Sequence, residues 1–217
     1  MKKYIVFSDF DGTITQQDVI MSIMKHFASP EWKEIRDKIF NEEITISEGV
    51  AQLFSLIPSS KEDEIINWCL RNIKIRNGFK EFLEFLKEKN IPFIVLSGGL
   101  DFYIYPILEP YKNLITKIYC NKADFSGEYI KVKFTYWCDP YCDKDCGMCK
   151  TSVIREYKKE YEKVIYIGDS ITDINPSKLA NIVFARDYLV KRLRKMGIKY
   201  FEYETFYDIK NKLKTIL

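Results

Sequence analysis

A chain of 217 residues has room for one well-packed domain, or for one domain with a modest insert. With 47% apolar and 30% charged residues, a formal charge of only +3, and Lys interleaved with Asp and Glu, the composition is that of a soluble globular protein and argues against nucleic-acid or membrane binding. No apolar run approaches membrane-spanning length, and Met1-Lys2-Lys3-Tyr4 leads into a strand too short for a signal-peptide core, so the expected compartment is the cytoplasm.

Residues 4–8 are short, apolar and β-rich, which predicts a buried strand. From 18 to about 72 the pattern is helical. Val19, Ile20, Ile23, Met24 and Phe27 fall at helical spacing, and Ser29-Pro30-Glu31 breaks one helix and starts the next. Helices are also expected over 44–57 and 60–70, the second opened by Ser59 or Ser60 with acidic residues in its first turn. The rhythm then alternates: helix 79–89, strand 91–96, helix 100–108, strand 117–120, and a hairpin within 123–134 around Ser126-Gly127. Helix 151–160, strand 164–167, a helix around 177–180, strand 182–185 and one or two closing helices complete it. Strand and helix alternating outside a block of consecutive helices predict an α/β fold, a parallel sheet with a helical insert.

In such sheets ligands bind beyond the carboxyl ends of the strands, and each predicted core strand here ends in polar residues. Asp9 and Asp11 follow the first; Ser97-Gly98-Gly99 follow the second; Gly168-Asp169-Ser170-Ile171-Thr172-Asp173 follow the strand at 164–167; Lys150 opens the helix just before it. Buried carboxylates gathered at a strand end require something positive beside them. A carboxylate can attack phosphorus once Mg²⁺, held by hard oxygen ligands, offsets the repulsion from a phosphate dianion. Asp9 is the expected nucleophile and, with Asp169 and the Asp11 carbonyl, a metal ligand. The Asp11 side chain is then general acid and afterwards general base. Ser97, the amides from Gly98 onward and Lys150 are expected to hold phosphoryl oxygens. Gly12, Gly98 and Gly99 allow close approach of the backbone. Asp173 is expected to reach the metal through water or to position Lys150.

Asp9-x-Asp11-Gly12-Thr13, Ser97, Lys150 and Gly168-Asp169-Ser170-x-Thr172-Asp173 together resemble, in order and spacing, the four motifs of the haloacid dehalogenase superfamily. The resemblance implies a three-layer, Rossmann-like core over 1–15 and 75–217, a helical cap over 16–74 inserted between the first and second motifs, and an aspartyl-phosphate mechanism. The second Asp implies a phosphatase rather than a dehalogenase. Asp18, just past the nucleophile loop, either contacts substrate or caps a helix.

Phosphoserine phosphatases share this layout and are expected to clamp the amino-acid carboxylate with a cap arginine. Between Arg36 and Arg71 the insert has none, and residues 47–56, with Leu53 and Phe54, are small and apolar, which suits pocket lining for a less polar substrate or plain packing. A closer resemblance is to the methionine-salvage phosphatases of the same superfamily. It is carried by the runs DFDGTIT, PEWKEIRD, SEGVAQLFSLIPSS, IPFIVLSGGLDFYIYPILE, IYCNKADF, IGDSITD and FARDYL. It implies a methylthio enol phosphate as substrate. The alternatives are a phosphoserine or phosphocholine/phosphoethanolamine type of phosphatase, or a non-catalytic phosphometabolite sensor. The expected partner is a small phosphate ester, the expected assembly a monomer or homodimer.

Six cysteines in a cytoplasmic chain are thiols or metal ligands before they are a disulfide framework. Cys138-x₃-Cys142-x₃-Cys146-x₂-Cys149 runs directly into Lys150. A structural Zn²⁺ site, redox-labile pairs, or free thiols shaping a loop are the three readings. Cys69 and Cys120 lie in apolar surroundings and are expected to be buried, and His26, the only histidine, to pack on a helix.

Overall fold

Short apolar strands covered on both faces divide their side chains by alternation, so successive residues serve opposite layers. The computed structural model describes residues 2–142 and 144–217. Its strands are β1 (Lys2–Ser8), β2 (Phe93–Leu100), β3 (Lys117–Asp124), β4 (Lys131–Lys133), β5 (Tyr161–Gly168), β6 (Ile182–Ala185) and β7 (Phe201–Glu202). They form one sheet in the order β4-β3-β2-β1-β5-β6-β7, parallel throughout except for the β3–β4 hairpin.

Helices α1 (Val19–Phe27), α2 (Trp32–Phe40), α3 (Ile46–Phe54) and α4 (Glu62–Asn72) come between β1 and α5 (Phe79–Glu88). Then follow α6 (Asp101–Leu108), α7 (Lys150–Tyr157), α8 (Ile174–Leu179), α9 (Asp187–Lys195) and α10 (Phe206–Lys214). Ile5, Phe7, Ile94, Leu96, Val164 and Tyr166 pack with Val153 and Ile154 of α7 in one buried cluster. Val6, Phe93, Val95 and Ile165 pack with Phe79 and Phe82 of α5 and Phe206 and Leu213 of α10 in another. The result is three layers, helices on either side of the sheet. The first four helices join the second cluster through Ile23, Leu53, Phe54 and Ile65, so this block shares its core with the sheet domain. No helix among the described residues is long and apolar enough to cross a membrane.

Three local expectations are corrected. Ser97-Gly98-Gly99 is not a loop after the second strand. It continues as extended backbone to Leu100, with the β2–β3 register shifting between Leu96 and Leu100. The helix expected at 60–70 opens with a short 3₁₀ turn, Ser59–Lys61, and no serine side chain caps it. Between the closing helices lies β7, whose two residues are too few to show any periodicity.

Candidate active site

Because β1 lies between β2 and β5, with Ser8 in register with both Val95 and Ile167, the ends of β1 and β5 meet the Ser97 stretch of β2 at one level. Asp9 follows at once, its N–H donating to the Ile167 carbonyl at 2.9 Å. The Asp9 carboxylate is buried, and Oδ1 accepts from Phe10 N at 2.7 Å and pairs with Lys150 Nζ at 2.8 Å. Both partners found among the described residues therefore fall on one oxygen, leaving Oδ2 the freer.

Lys150 comes from the first turn of α7 and is 4% exposed. Its second carboxylate is Asp173, at 2.7 Å from Oδ1. That same Oδ1 accepts from Tyr166 Oη at 2.6 Å, while Oδ2 accepts from the N–H groups of Asp169 and Ser170 at 3.0 and 2.9 Å. Asp169 Oδ1 accepts from Thr13 Oγ1 at 2.6 Å. A Cβ on Gly12 would stand 2.5 Å from Asp169 Oδ2, and Gly12 has φ +77°, so only glycine fits between the two loops.

Asp11 is held from two sides. Oδ1 accepts from Val19 N, the first residue of α1, at 3.1 Å, and Oδ2 accepts from Ser97 Oγ at 3.1 Å. Ser97 Oγ in turn accepts from Gly99 N at 3.0 Å, and Asn121 Nδ2 donates to the Gly98 carbonyl at 3.0 Å. The acid/base candidate is thus set jointly by the helical insert and by β2.

Burial, with Asp173 adding and Lys150 opposing, pushes the Asp9 carboxyl up to about 7. Burial, Asp9 and Asp173 push Asp169 up to about 9. Asp11 stands well above the usual carboxylate range because of burial, Asp18 and Asp9. Burial acts on Asp173 in the same direction, yet Lys150 and Tyr166 hold it below that range. Among the described residues one ammonium serves this group of carboxylates, so the site is electrostatically short of positive charge.

That shortfall tests the fit to a cation. Asp9, Asp169 and Asp173 each offer a carboxylate oxygen, all within 4.8 Å of one another. The donors are hard oxygens, as Mg²⁺ requires. Asp173 has both oxygens committed to donors and holds Lys150, which leaves Asp9 and Asp169 as the carboxylates that could ligate a cation directly.

Asp18 is the N-cap of α1, accepting from Met21 N at 2.9 Å. Leu53 and Phe54 are fully buried packing residues. Arg36 pairs with Asp37, Arg71 Nε donates to the Asn67 carbonyl, and His26 stacks on Trp68. Cys69 and Cys120 are buried, which drives both thiols up to about 12. Cys138, Cys142, Cys146 and Cys149 form a second group whose sulfurs all lie within 4.8 Å of one another.

Three participants, Arg76, Tyr166 and Asn121, carry no distinct sequence signal, while Thr13 stands in the first motif. Arg76 donates to the carbonyls of Gly12, Thr13 and Thr15; Thr13, Tyr166 and Asn121 hold Asp169, Asp173 and Gly98. Arg76 stands between Ile75 and Asn77, two residues after Lys74, so nothing in the sequence sets it apart from its neighbours.

Residues 6–175 match the family model described as haloacid dehalogenase-like hydrolase. The chain is 50% identical over 214 residues to the 2-hydroxy-3-keto-5-methylthiopentenyl-1-phosphate phosphatase of Bacillus cereus (strain AH820), covering 98% of this chain and 96% of the relative. The protein of that name from Bacillus thuringiensis (strain Al Hakam) is similar to the same degree, 50% over 214 residues, with 98% and 96% covered. Among solved structures the fold resembles a phospho-aspartyl intermediate analogue of phosphoserine phosphatase, with TM-score 0.70, 18% identity, and 98% of this chain and 99% of that chain covered. Phosphoserine phosphatase from T. onnurineus gives TM-score 0.72 at 16% identity, with 98% and 95% covered.

Proposed function

The chain belongs to the haloacid dehalogenase-like hydrolase family, and from that premise we propose a phosphatase that cleaves a small phosphate monoester through an aspartyl-phosphate on Asp9. The observation that carries this reading is the Asp9–Lys150–Asp173 arrangement: a buried carboxylate with one oxygen fixed by Lys150 and Phe10 N and the other freer to attack.

In the first half-reaction an Asp9 oxygen bonds to phosphorus as the ester P–O bond breaks, and Asp11 gives its proton to the departing oxygen. Burial, Asp18 and Asp9 raise the Asp11 carboxyl above the usual carboxylate range, the direction that favours its carrying this proton. In the second half, Asp11 takes a proton from water as the water oxygen attacks phosphorus, freeing Asp9 and inorganic phosphate. Lys150, Ser97 and the amides from Gly98 onward hold the phosphoryl oxygens and offset the charge that builds in the transition state. Asp9 and Asp169, with the Asp11 carbonyl, are the residues that would hold Mg²⁺, and the cation supplies charge neutralisation for the phosphoryl group. The four thiols at 138–149 are too soft a set for Mg²⁺ and stand apart from this site.

The substrate we assign is 2-hydroxy-3-keto-5-methylthiopentenyl-1-phosphate, in methionine salvage. Relatives bearing that activity in their names are 50% identical over nearly their whole length. The insert also offers no arginine between Arg36 and Arg71 to clamp an amino-acid carboxylate, consistent with a substrate lacking one. Residues 16–74 act as a cap over the 1–15 and 75–217 core. Support comes from the two connecting segments, which pair antiparallel with Thr15 opposite Ile75 and so mark the junction.

The test is phosphate release with Mg²⁺, comparing kcat/KM for the methylthio enol phosphate, generated in place by its enolase, with phosphoserine, phosphocholine and an aryl phosphate. A preference of about a hundredfold, about 2.7 kcal/mol in the transition state, is expected, and none of it in Asp9→Asn. Equal, feeble rates on every ester would remove the substrate assignment, and turnover by Asp9→Asn would remove the covalent mechanism.

A further inference from the structure

We infer that Cys138, Cys142, Cys146 and Cys149 form a tetrathiolate Zn²⁺ site that clamps the segment delivering Lys150 against the helical insert. Four zinc-bound sulfurs at about 2.3 Å from the metal lie about 3.8 Å apart. The four sulfurs here fall within 4.8 Å of one another, with Cys142 and Cys146 at 4.0 Å, and none is disulfide-bonded. This is the spacing of a tetrahedral site, not of two S–S bonds.

The surroundings favour bound thiolates. Cys146 and Cys149 form a C-x₂-C turn, closed by Met148 N donating to the Cys146 carbonyl at 2.8 Å. Cys149 is the N-cap of α7, so its sulfur lies at the positive end of that helix. Ser152 Oγ donates to Cys149 Sγ at 3.0 Å, a contact that orients a metal-bound sulfur. Four thiolates on Zn²⁺ carry a net double negative charge. A guanidinium stands close by: Arg155, one turn into α7, bonds Asp139 through Nε at 2.6 Å and approaches Thr151 Oγ1 at 3.3 Å. All-sulfur donors select Zn²⁺ over Mg²⁺, so this site and the carboxylates do not compete.

The segment needs such a staple. Among the described residues between Trp137 and Lys150, the only side chains that reach a buried cluster or are fully buried are Met148 and Cys149, and Tyr141 is 82% exposed. A stretch with so little apolar burial gains order from a bound metal, because the free energy of binding is also free energy of folding. Its two ends have different jobs. Asp145 Oδ2 accepts from Ser47 Oγ at 2.6 Å and from Thr45 Oγ1 at 3.1 Å, and Ser47 N donates to the Asp145 carbonyl at 3.3 Å. Thr45 is the N-cap of α3, so the segment grips the start of an insert helix. Immediately after Cys149 comes Lys150, bonded to Asp9 and Asp173. The consequence for Lys150 rests on the phosphatase reading; the metal site does not.

The experiment is metal analysis of the full chain purified under reducing conditions without chelator. One zinc per chain is expected. Exchange with Co²⁺ should give the visible absorption and near-ultraviolet thiolate charge transfer of a tetrahedral site, unaltered by excess Mg²⁺. Competition with a chromophoric chelator should show Cys142→Ser and Cys146→Ser weakening zinc by on the order of tenfold or more. Removing zinc from the wild-type chain should speed amide hydrogen exchange over 138–149 and at 45–48, a readout that needs no variant to fold. Zinc bound in a chain that releases no phosphate would still support the site. A fully reduced, folded chain without zinc would overturn it, as would a mass deficit of two hydrogens per bridge showing disulfides.

Discussion

Arg76 Nη2 donates to the Gly12 carbonyl at 2.6 Å, so a buried guanidinium grips the loop that follows the Asp9–Asp11 pair. Nε reaches the Thr13 carbonyl at 2.8 Å and Nη2 also reaches that of Thr15 at 3.0 Å. A planar fork can serve three carbonyls at once, and a lysine ammonium cannot match that geometry. Arg76→Met should lower stability by about 3 kcal/mol in urea unfolding, since buried carbonyls lose charged donors. Arg76→Lys should fold, with kcat down by about tenfold and KM within a few-fold, because the loop and not substrate binding is disturbed. An unchanged kcat in Arg76→Lys would mean the loop keeps its place unaided.

Tyr166 and Lys150 share one acceptor, Asp173 Oδ1, at 2.6 and 2.7 Å. The Tyr166 hydroxyl donates to Asp173, the carboxylate that pairs with Lys150, so its part is to position Lys150 through Asp173. Tyr166→Phe removes one donor from a buried carboxylate and should cost about 1.5–3 kcal/mol of stability. It should also lower kcat several-fold, and raise KM, as Lys150 gains freedom. A stability loss with both kinetic constants unchanged would reduce Tyr166 to packing.

The parallel sheet was legible because its strands are unbroken apolar runs separated by helical patterns, and the strand ends then brought Asp9, Ser97, Lys150 and Asp169 to one place. Where reading failed, the deciding contact was tertiary. Ser97 to Gly99 look like a loop by composition, yet pairing with β3 across a register shift keeps them extended to Leu100. Asp18 had two equal readings; it does cap α1 by accepting from Met21 N, a contact that is compatible with touching substrate as well. Leu53 and Phe54 carry the same apolar signature in a pocket wall or a core, and burial places them in the core. Arg76 acts entirely through backbone carbonyls, which a sequence does not display.

Asp208 opens a pH-dependent contact far from the site. Its Oδ2 accepts from Thr205 N at 2.8 Å and Thr205 Oγ1 at 2.9 Å, closing the capping box of α10. The Thr205 and Glu204 donors hold its carboxyl below the usual carboxylate range. A depressed folded pKa gives stability that is present above the unfolded value and lost as pH falls through the folded one. Asp208→Ala should therefore cost about 1 kcal/mol at pH 7, and the gap from wild type should shrink as pH falls below about 4. The check is urea unfolding of both proteins across that range. A gap that does not change with acid would assign the contribution to helix propensity and not to the carboxylate.

Gly12 sets the distance between the two carboxylate-bearing loops. Any Cβ there would stand 2.5 Å from Asp169 Oδ2, and φ +77° disfavours a side chain in any case. Gly12→Ala therefore has to push Asp169 away from Asp9 or shift the Gly12 loop. Arg76 resists the second, being bonded to the Gly12 carbonyl, so Asp169 moves and its bond from Thr13 Oγ1 at 2.6 Å is strained. The loss should be read mainly in cation affinity: the Mg²⁺ concentration for half-maximal activity should rise by about tenfold or more. At saturating Mg²⁺ much of kcat should return, because Asp9, Asp11 and Lys150 keep their own partners. A variant with unchanged Mg²⁺ dependence and a simple loss of kcat would place the damage on the nucleophile loop, and Asp169 would no longer be assigned to the metal.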